Sequence, residues 1–142
     1  MTNLYLIASS KSWNKHLPNK LHAATGQKFQ LISNPAEITF DHITKLSPRY
    51  IFFPHWSYII PADVFQNFEC VIFHMTDLPF GRGGSPLQNL IARGITETQI
   101  SALKCVKKID AGAIYFKRPF SLHGAAEDIY LRESEIVEEM IV

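Results

Sequence analysis

Four short apolar runs, separated by helix-like stretches, constrain this chain more than any other feature. They are residues 3–8 (NLYLIA), 28–32 (KFQLI), 50–53 (YIFF) and 70–74 (CVIFH). The third is apolar at every position, which fits a strand covered on both faces. Between the runs, the spacing predicts a helix over 13–24, weakened or broken at Pro18. A second spans 35–46, opened by Pro35, and a short third spans 61–68 with Pro61 near its start. Strands alternating with helices imply crossover connections and a mostly parallel sheet flanked by helices. The expected fold class is therefore α/β and Rossmann-like. In such sheets ligands sit beyond the carboxyl ends of the strands, at a switch point. His55 directly follows the third run and His74 closes the fourth, so both fall in that region.

After residue 78 the pattern changes. Residues 81–84 (GRGG) read as a loop. Ser85 and Pro86 read as N-cap and first position of a helix to residue 93, with Gly94 as its stop. Residues 99–106 and 113–120 read as strands around a turn at 110–112. A terminal helix over 125–140 carries Glu133, Glu135, Glu138 and Glu139, read as a solvated face. No repeat or low-complexity segment interrupts the chain. With 142 residues, 46% of them hydrophobic and 19% charged, it has the material for one domain, 1–142, with a real core. Lys and Arg total 14 against 13 Asp and Glu, a net charge of +1. That argues against non-specific coating of nucleic acid, without excluding a specific RNA or nucleotide ligand. No apolar run approaches the ~18 residues of a membrane span. The start, Met-Thr-Asn-Leu, lacks the basic-then-apolar layout of a signal peptide. Cys70 and Cys105 lie in apolar runs outside any CxxC, so both are expected buried and reduced. The expectation is a cytoplasmic protein without disulfides or metal.

The stretch from Val71 to Ile114 carries the chemistry. A His at a strand end exchanges protons near neutral pH. A carboxylate from a later turn, Asp110, can orient it and support its charged form. Gly83 and Gly84 let backbone approach a ligand closely, and the helix start that follows offers N–H groups to negative charge. Each feature also has a plainer reading. His74 alone is a structural histidine, and Asp110 alone is a turn residue ahead of Gly112. His55 and Trp56 are loop residues on the core or contacts to a ligand. Asp77 is a solvated charge or a contact to a substrate amine. The first run is followed by Ser9-Ser10-Lys11 and no GxGxxG, which counts against an ordinary dinucleotide binder.

Taken in order, His74-Met75-Thr76-Asp77-Leu78-Pro79, Arg82-Gly83-x-x-Pro86, Gly94-x-x-x-Thr98 and Asp110-x-Gly112 resemble a known catalytic core. It is that of the formyltransferases that use formyl-tetrahydrofolate. These include the methionyl-tRNA, glycinamide ribonucleotide and sugar-nucleotide enzymes. Residues 97–114 look most similar to the sugar-nucleotide branch, and the resemblance reaches back to Tyr58-Ile59-Ile60-Pro61. It implies formyl transfer to a primary amine of a sugar nucleotide or similar small molecule, through attack on the formyl carbon and a tetrahedral oxyanion. By position, His74 would assist proton transfer and the oxyanion, and Asp110 would orient His74. Tyr58, Ile59, Ile60 and Pro61, with Asp110, would hold the folate. Thr76, Asp77, Arg82, Gly83 and Gly84 would line the acceptor side. Neither a membrane nor nucleic acid is an expected partner.

The chain departs from the family pattern at one telling place. The family has an oxyanion-binding Asn two residues before its His, and here that position is Ile72. Residues 72 and 74 share a strand face, so Ile72 should face the site. Losing one preorganised oxyanion donor costs ~10²–10³ in rate. Asp77 and Gln99 also stand where the family usually has an apolar residue and a glycine. The second reading is thus an inactive relative that keeps fold and pocket as a ligand-binding, regulatory or interaction module.

Overall fold

The computed structural model describes residues 3–56, 58–74, 96–107, 112–124 and 126–142. The four apolar runs are strands β1 (Leu4–Ala8), β2 (Lys28–Ile32), β3 (Tyr50–Pro54) and β4 (Cys70–His74). Strands β5 (Glu97–Lys104) and β6 (Ile114–Ser121) follow. The helices are α1 (Leu17–Thr25), α2 (Phe40–Leu46), α3 (Ala62–Asn67) and α4 (Ala126–Ile141). The strands form one sheet, in the order β2-β1-β3-β4-β5-β6. β1 runs parallel to β2 and β3, and β3 parallel to β4; β5 and β6 add two antiparallel pairings at the edge. The chain steps from β1 outward to β2 and then crosses to β3 on the other side of β1. The order therefore reverses between β1 and β3, and a crevice at a switch point belongs over their carboxyl ends.

Proline set where α1 begins, and side-chain caps divided the second expected helix. Pro18 does not break a helix; it sits in the first turn of α1, where a missing N–H costs nothing. Residues 12–14 form a separate 3-10 turn ahead of it. Gly26, at φ 73°, closes α1 by donating its N–H to His22 O at 2.8 Å. The stretch expected as one helix over 35–46 also divides. Asn34 caps a 3-10 turn over Pro35–Glu37, and Thr39 caps α2 by accepting from His42 N–H at 3.2 Å. The remaining described elements start and stop within two residues of their expected ends, the usual uncertainty of boundaries. The helix expected over 85–93 lies outside the described residues.

Alternation along the central strands divides the core between the two sheet faces. Leu6, Ala8, Ile51, Phe53 and Cys70 pack with Ile43 of α2 and Val64 of α3. Ile7, Val71 and Phe73 pack on the opposite side with Leu17 and Leu21 of α1 and Ile129, Val137 and Met140 of α4. Both cysteines are buried and not joined in a disulfide. Burial, with Cys105 and Glu69 nearby, pushes the Cys70 thiol up to about 12, so it stays un-ionised and unreactive at neutral pH. One correction falls on α4. Glu133 is not on a solvated face but is 0% exposed. It lies four residues after Ile129 and four before Val137, in the middle of the inward stripe.

Candidate functional site

The carboxyl ends of β1 and β3 are tied together by a buried asparagine. Asn14, fully buried, donates through Nδ2 to Ser9 Oγ at 3.0 Å and to the Pro54 carbonyl at 3.4 Å. The next residue, His55, takes φ 55°, a left-handed conformation uncommon for a residue with a side chain. Strict alternation would leave His55 on the side of Phe53. The left-handed turn sends its ring toward α4 instead. There Nδ1 lies 3.1 Å and 3.2 Å from the two carboxylate oxygens of Glu133. Trp13 and Tyr130 stack on each other at 4.2 Å and meet the His55 ring edge-on at 5.4 and 5.5 Å. Burial pushes the Glu133 carboxyl up, and the His55 hydrogen bond and charge, with Lys11 nearby, pull it partly back. Sequence reasoning found His55 but missed Glu133, although the 129/133/137 spacing carried the signal.

A second arrangement lies on the other side of β3. Trp56 meets Phe53 and Tyr58 edge-on, at 5.8 and 5.2 Å. Its indole N–H is buried without a hydrogen-bond partner among the described residues. Tyr58 is half-exposed and Ile59 is 95% exposed, a large apolar side chain held in solvent. Ile60 packs against the same core side as Trp56 and Ile72. Ile72 is the one residue of β4 that is not fully buried. It lies between Phe53 of β3 and Leu103 of β5 in register.

His74 is buried, opposite Ser101 of β5, and alternation places it on the same side as Ile72. Pro54 pairs with Phe73, so the next residue along each strand, His55 and His74, are lateral neighbours. The Tyr58–Pro61 segment, Trp56, Ile72 and His74 thus share one side of the sheet, near the carboxyl ends of its central strands. Thr76, Asp77, Arg82, Gly83, Gly84 and Asp110 lie outside the described residues.

Gly112 is described. A Cβ there would collide with the backbone carbonyl of Lys104, whose N–H donates to Ala113 O at 2.9 Å. No side chain can swing away from that clash, because both partners are main chain. Gly112→Ala is therefore expected to lower stability by roughly 1–3 kcal/mol, the usual cost of overpacking. Urea denaturation reads the change, and an unaltered midpoint would show that the β5–β6 connection relaxes freely. Among the described residues no three His, Cys, Asp or Glu side chains are grouped to hold a metal ion. No helix among them is long and apolar enough to cross a membrane.

This architecture defines a Rossmann-type α/β protein with histidines at the ends of two neighbouring strands. No family model matches the chain. It is 51% identical to the methionyl-tRNA formyltransferase from Clostridium thermocellum, whose structure it matches with a TM-score of 0.92, covering 98% of this chain and 63% of that one. It is 29% identical over 86 residues to the methionyl-tRNA formyltransferase of Nitratiruptor sp., covering 61% of this chain and 28% of the relative. The fold also matches that of the formyltransferase PseJ from Anoxybacillus kamchatkensis, at 15% identity and a TM-score of 0.75. There 98% of this chain and 72% of the other are covered. That structure holds UDP-4,6-dideoxy-4-formamido-L-AltNAc and tetrahydrofolate. The chain spans under two thirds of the Clostridium and Nitratiruptor proteins. It belongs to the formyltransferase family.

Proposed function

We propose that this chain transfers a formyl group from formyl-tetrahydrofolate to a primary amine of a sugar nucleotide or a similar small molecule. The observation that carries the reading is the pairing of an open apolar shelf with a histidine-bearing strand end on one side of the sheet. Tyr58, Ile59, Ile60 and Pro61 would hold the folate, with Asp110 contributing from its later position in the chain. The residues present fit a flat heterocycle with a hydrogen-bonding edge. Tyr58 and Ile59 offer exposed ring and aliphatic surface, and the buried Trp56 N–H has no acceptor among the described residues. When bound, that group supplies the one-carbon unit. His74 would exchange a proton with the reacting groups, and Asp110 would hold its ring. Thr76, Asp77, Arg82, Gly83 and Gly84 would receive the acceptor.

One observation favours a second reading. Ile72 places an aliphatic side chain beside His74, where it excludes water and donates nothing. A relative that binds a ligand without transferring formyl groups would look the same there. Titration calorimetry with a stable formyl-folate analogue, followed by formyl transfer assays, separates the two. The acceptor panel holds amino sugar nucleotides, free amino sugars and methionyl-tRNA. Micromolar binding with transfer to a sugar nucleotide is the expected result. Binding without transfer to any acceptor supports the binding module. No binding at millimolar concentration removes the folate from both readings.

A further inference from the structure

His55 and Glu133 have the geometry of an acid–base pair, and the resemblance assigns neither a catalytic role. Glu133 is 0% exposed on the inward stripe of α4, yet both carboxylate oxygens approach one ring nitrogen. A buried carboxylate on Nδ1 fixes the proton there and leaves Nε2 with its lone pair, the arrangement that makes an imidazole a general base. Nε2 of His55 makes no hydrogen bond among the described residues. The His55 side chain is 18% exposed, so the ring is open on part of its surface. Trp13 and Tyr130 hold its edges, and the left-handed backbone sets its direction. Conformations like this persist only where the surroundings hold them, which is common at functional sites.

The position matters as much as the pair. His55 and His74 are lateral neighbours at the ends of β3 and β4. Their rings leave the sheet edge in different directions, His74 on the side of Ile72 and His55 on the side of α4. A ligand over the strand ends would lie between them.

We infer that His55, oriented by Glu133, is the base that takes the proton from the attacking amine. The inference rests on the formyl-transfer reading above. In the step, the amine nitrogen bonds to the formyl carbon and the bond from that carbon to the donor nitrogen breaks. One proton passes from the amine to Nε2 of His55, and one proton is taken up by the departed donor nitrogen. Nothing is oxidised or reduced. His74 is thereby left to serve the formyl oxygen and the departing nitrogen. Glu133 is a positioning residue, because it acts through the ring.

The test uses the whole chain and takes the wild type first. Transfer to at least one amine of the panel is the control; its absence would mean that the formyl-transfer reading has failed, before any variant is compared. His55→Gln keeps a donor for Glu133 but has no basic nitrogen. Its kcat is expected to fall by ~10²–10⁴, the worth of a general base, while the folate analogue binds as before. The double variant His55→Ala/Glu133→Gln removes the buried charge together with the ring. Its rate should rise with added imidazole, which a merely structural role would not produce. Nitrogen NMR of neutral His55 should place the proton on Nδ1 in the wild type and on Nε2 in Glu133→Leu. Wild-type rates in His55→Gln, no rescue by imidazole, or a wild-type ring already protonated on Nε2 would each overturn the inference while formyl transfer stands.

Discussion

Ile72→Asn is expected to raise formyl transfer by up to ~10²-fold, because it returns one preorganised donor to the side of His74. The strand supplies the reason. Positions 72 and 74 lie on one face of β4, and residue 72 is the one position of that strand left partly open. An amide there faces the same region as the His74 ring. An aliphatic side chain cannot stabilise negative charge gathering on a formyl oxygen; it can only keep water away. The opposing term is the cost of the amide in its present surroundings. Ile72 packs with Trp56, Ile60 and the Phe53 side of the core. A buried polar group without a partner costs roughly 1–3 kcal/mol, so stability must be followed beside rate. Single-turnover transfer and urea midpoints, measured together, decide the matter. A rate gain with modest destabilisation marks a weakened enzyme. An unchanged rate that is still lost in His74→Ala means that another donor already serves the oxygen.

The fold was legible because its signals were local and strong. Short apolar runs bounded by helix-like stretches read as strands, and proline and glycine marked the ends of α1. The error at Pro18 came from treating proline as a breaker when it also favours the first helical turn. Splitting of the 35–46 stretch depended on two caps, Asn34 and Thr39, whose side chains make a boundary inside an otherwise periodic run. The strand-end histidines were visible because topology alone places strand ends at the crevice. The His55–Glu133 pair was not visible. Its two members are 78 residues apart, and the backbone turn that joins them is a φ value that no composition or spacing encodes. Charge alone made Glu133 look solvated. Its position four residues from Ile129 and four from Val137 argued otherwise, and in a packed helix the stripe outranks the charge.

His55→Ala is expected to cost ~3–5 kcal/mol of stability at pH 8, because it leaves the Glu133 carboxylate buried without its partner. Burial already holds this carboxyl above its ordinary value of 4.5. A carboxyl raised on folding binds more protons in the native state than in the unfolded one. Its contribution is therefore fully present below the ordinary value and is lost as pH rises through the raised, folded value. In the wild type, the His55 hydrogen bond and charge and nearby Lys11 limit that loss. Removing the ring takes away the larger part of this compensation and pushes the carboxyl higher still. The variant should thus be much weaker than wild type at pH 8, and the gap should narrow as pH falls through the raised value, where Glu133 takes up a proton. The ability of the carboxyl to neutralise caps the penalty. His55→Ala/Glu133→Gln has no charge to bury, and its stability should vary less with pH than that of either parent. Urea midpoints of the three proteins at pH 5 and pH 8 give the answer. An equal loss at both pH values would mean that the ring matters by packing between Trp13 and Tyr130 rather than by serving the charge. A double variant no more stable than His55→Ala at pH 8 would lead to the same conclusion.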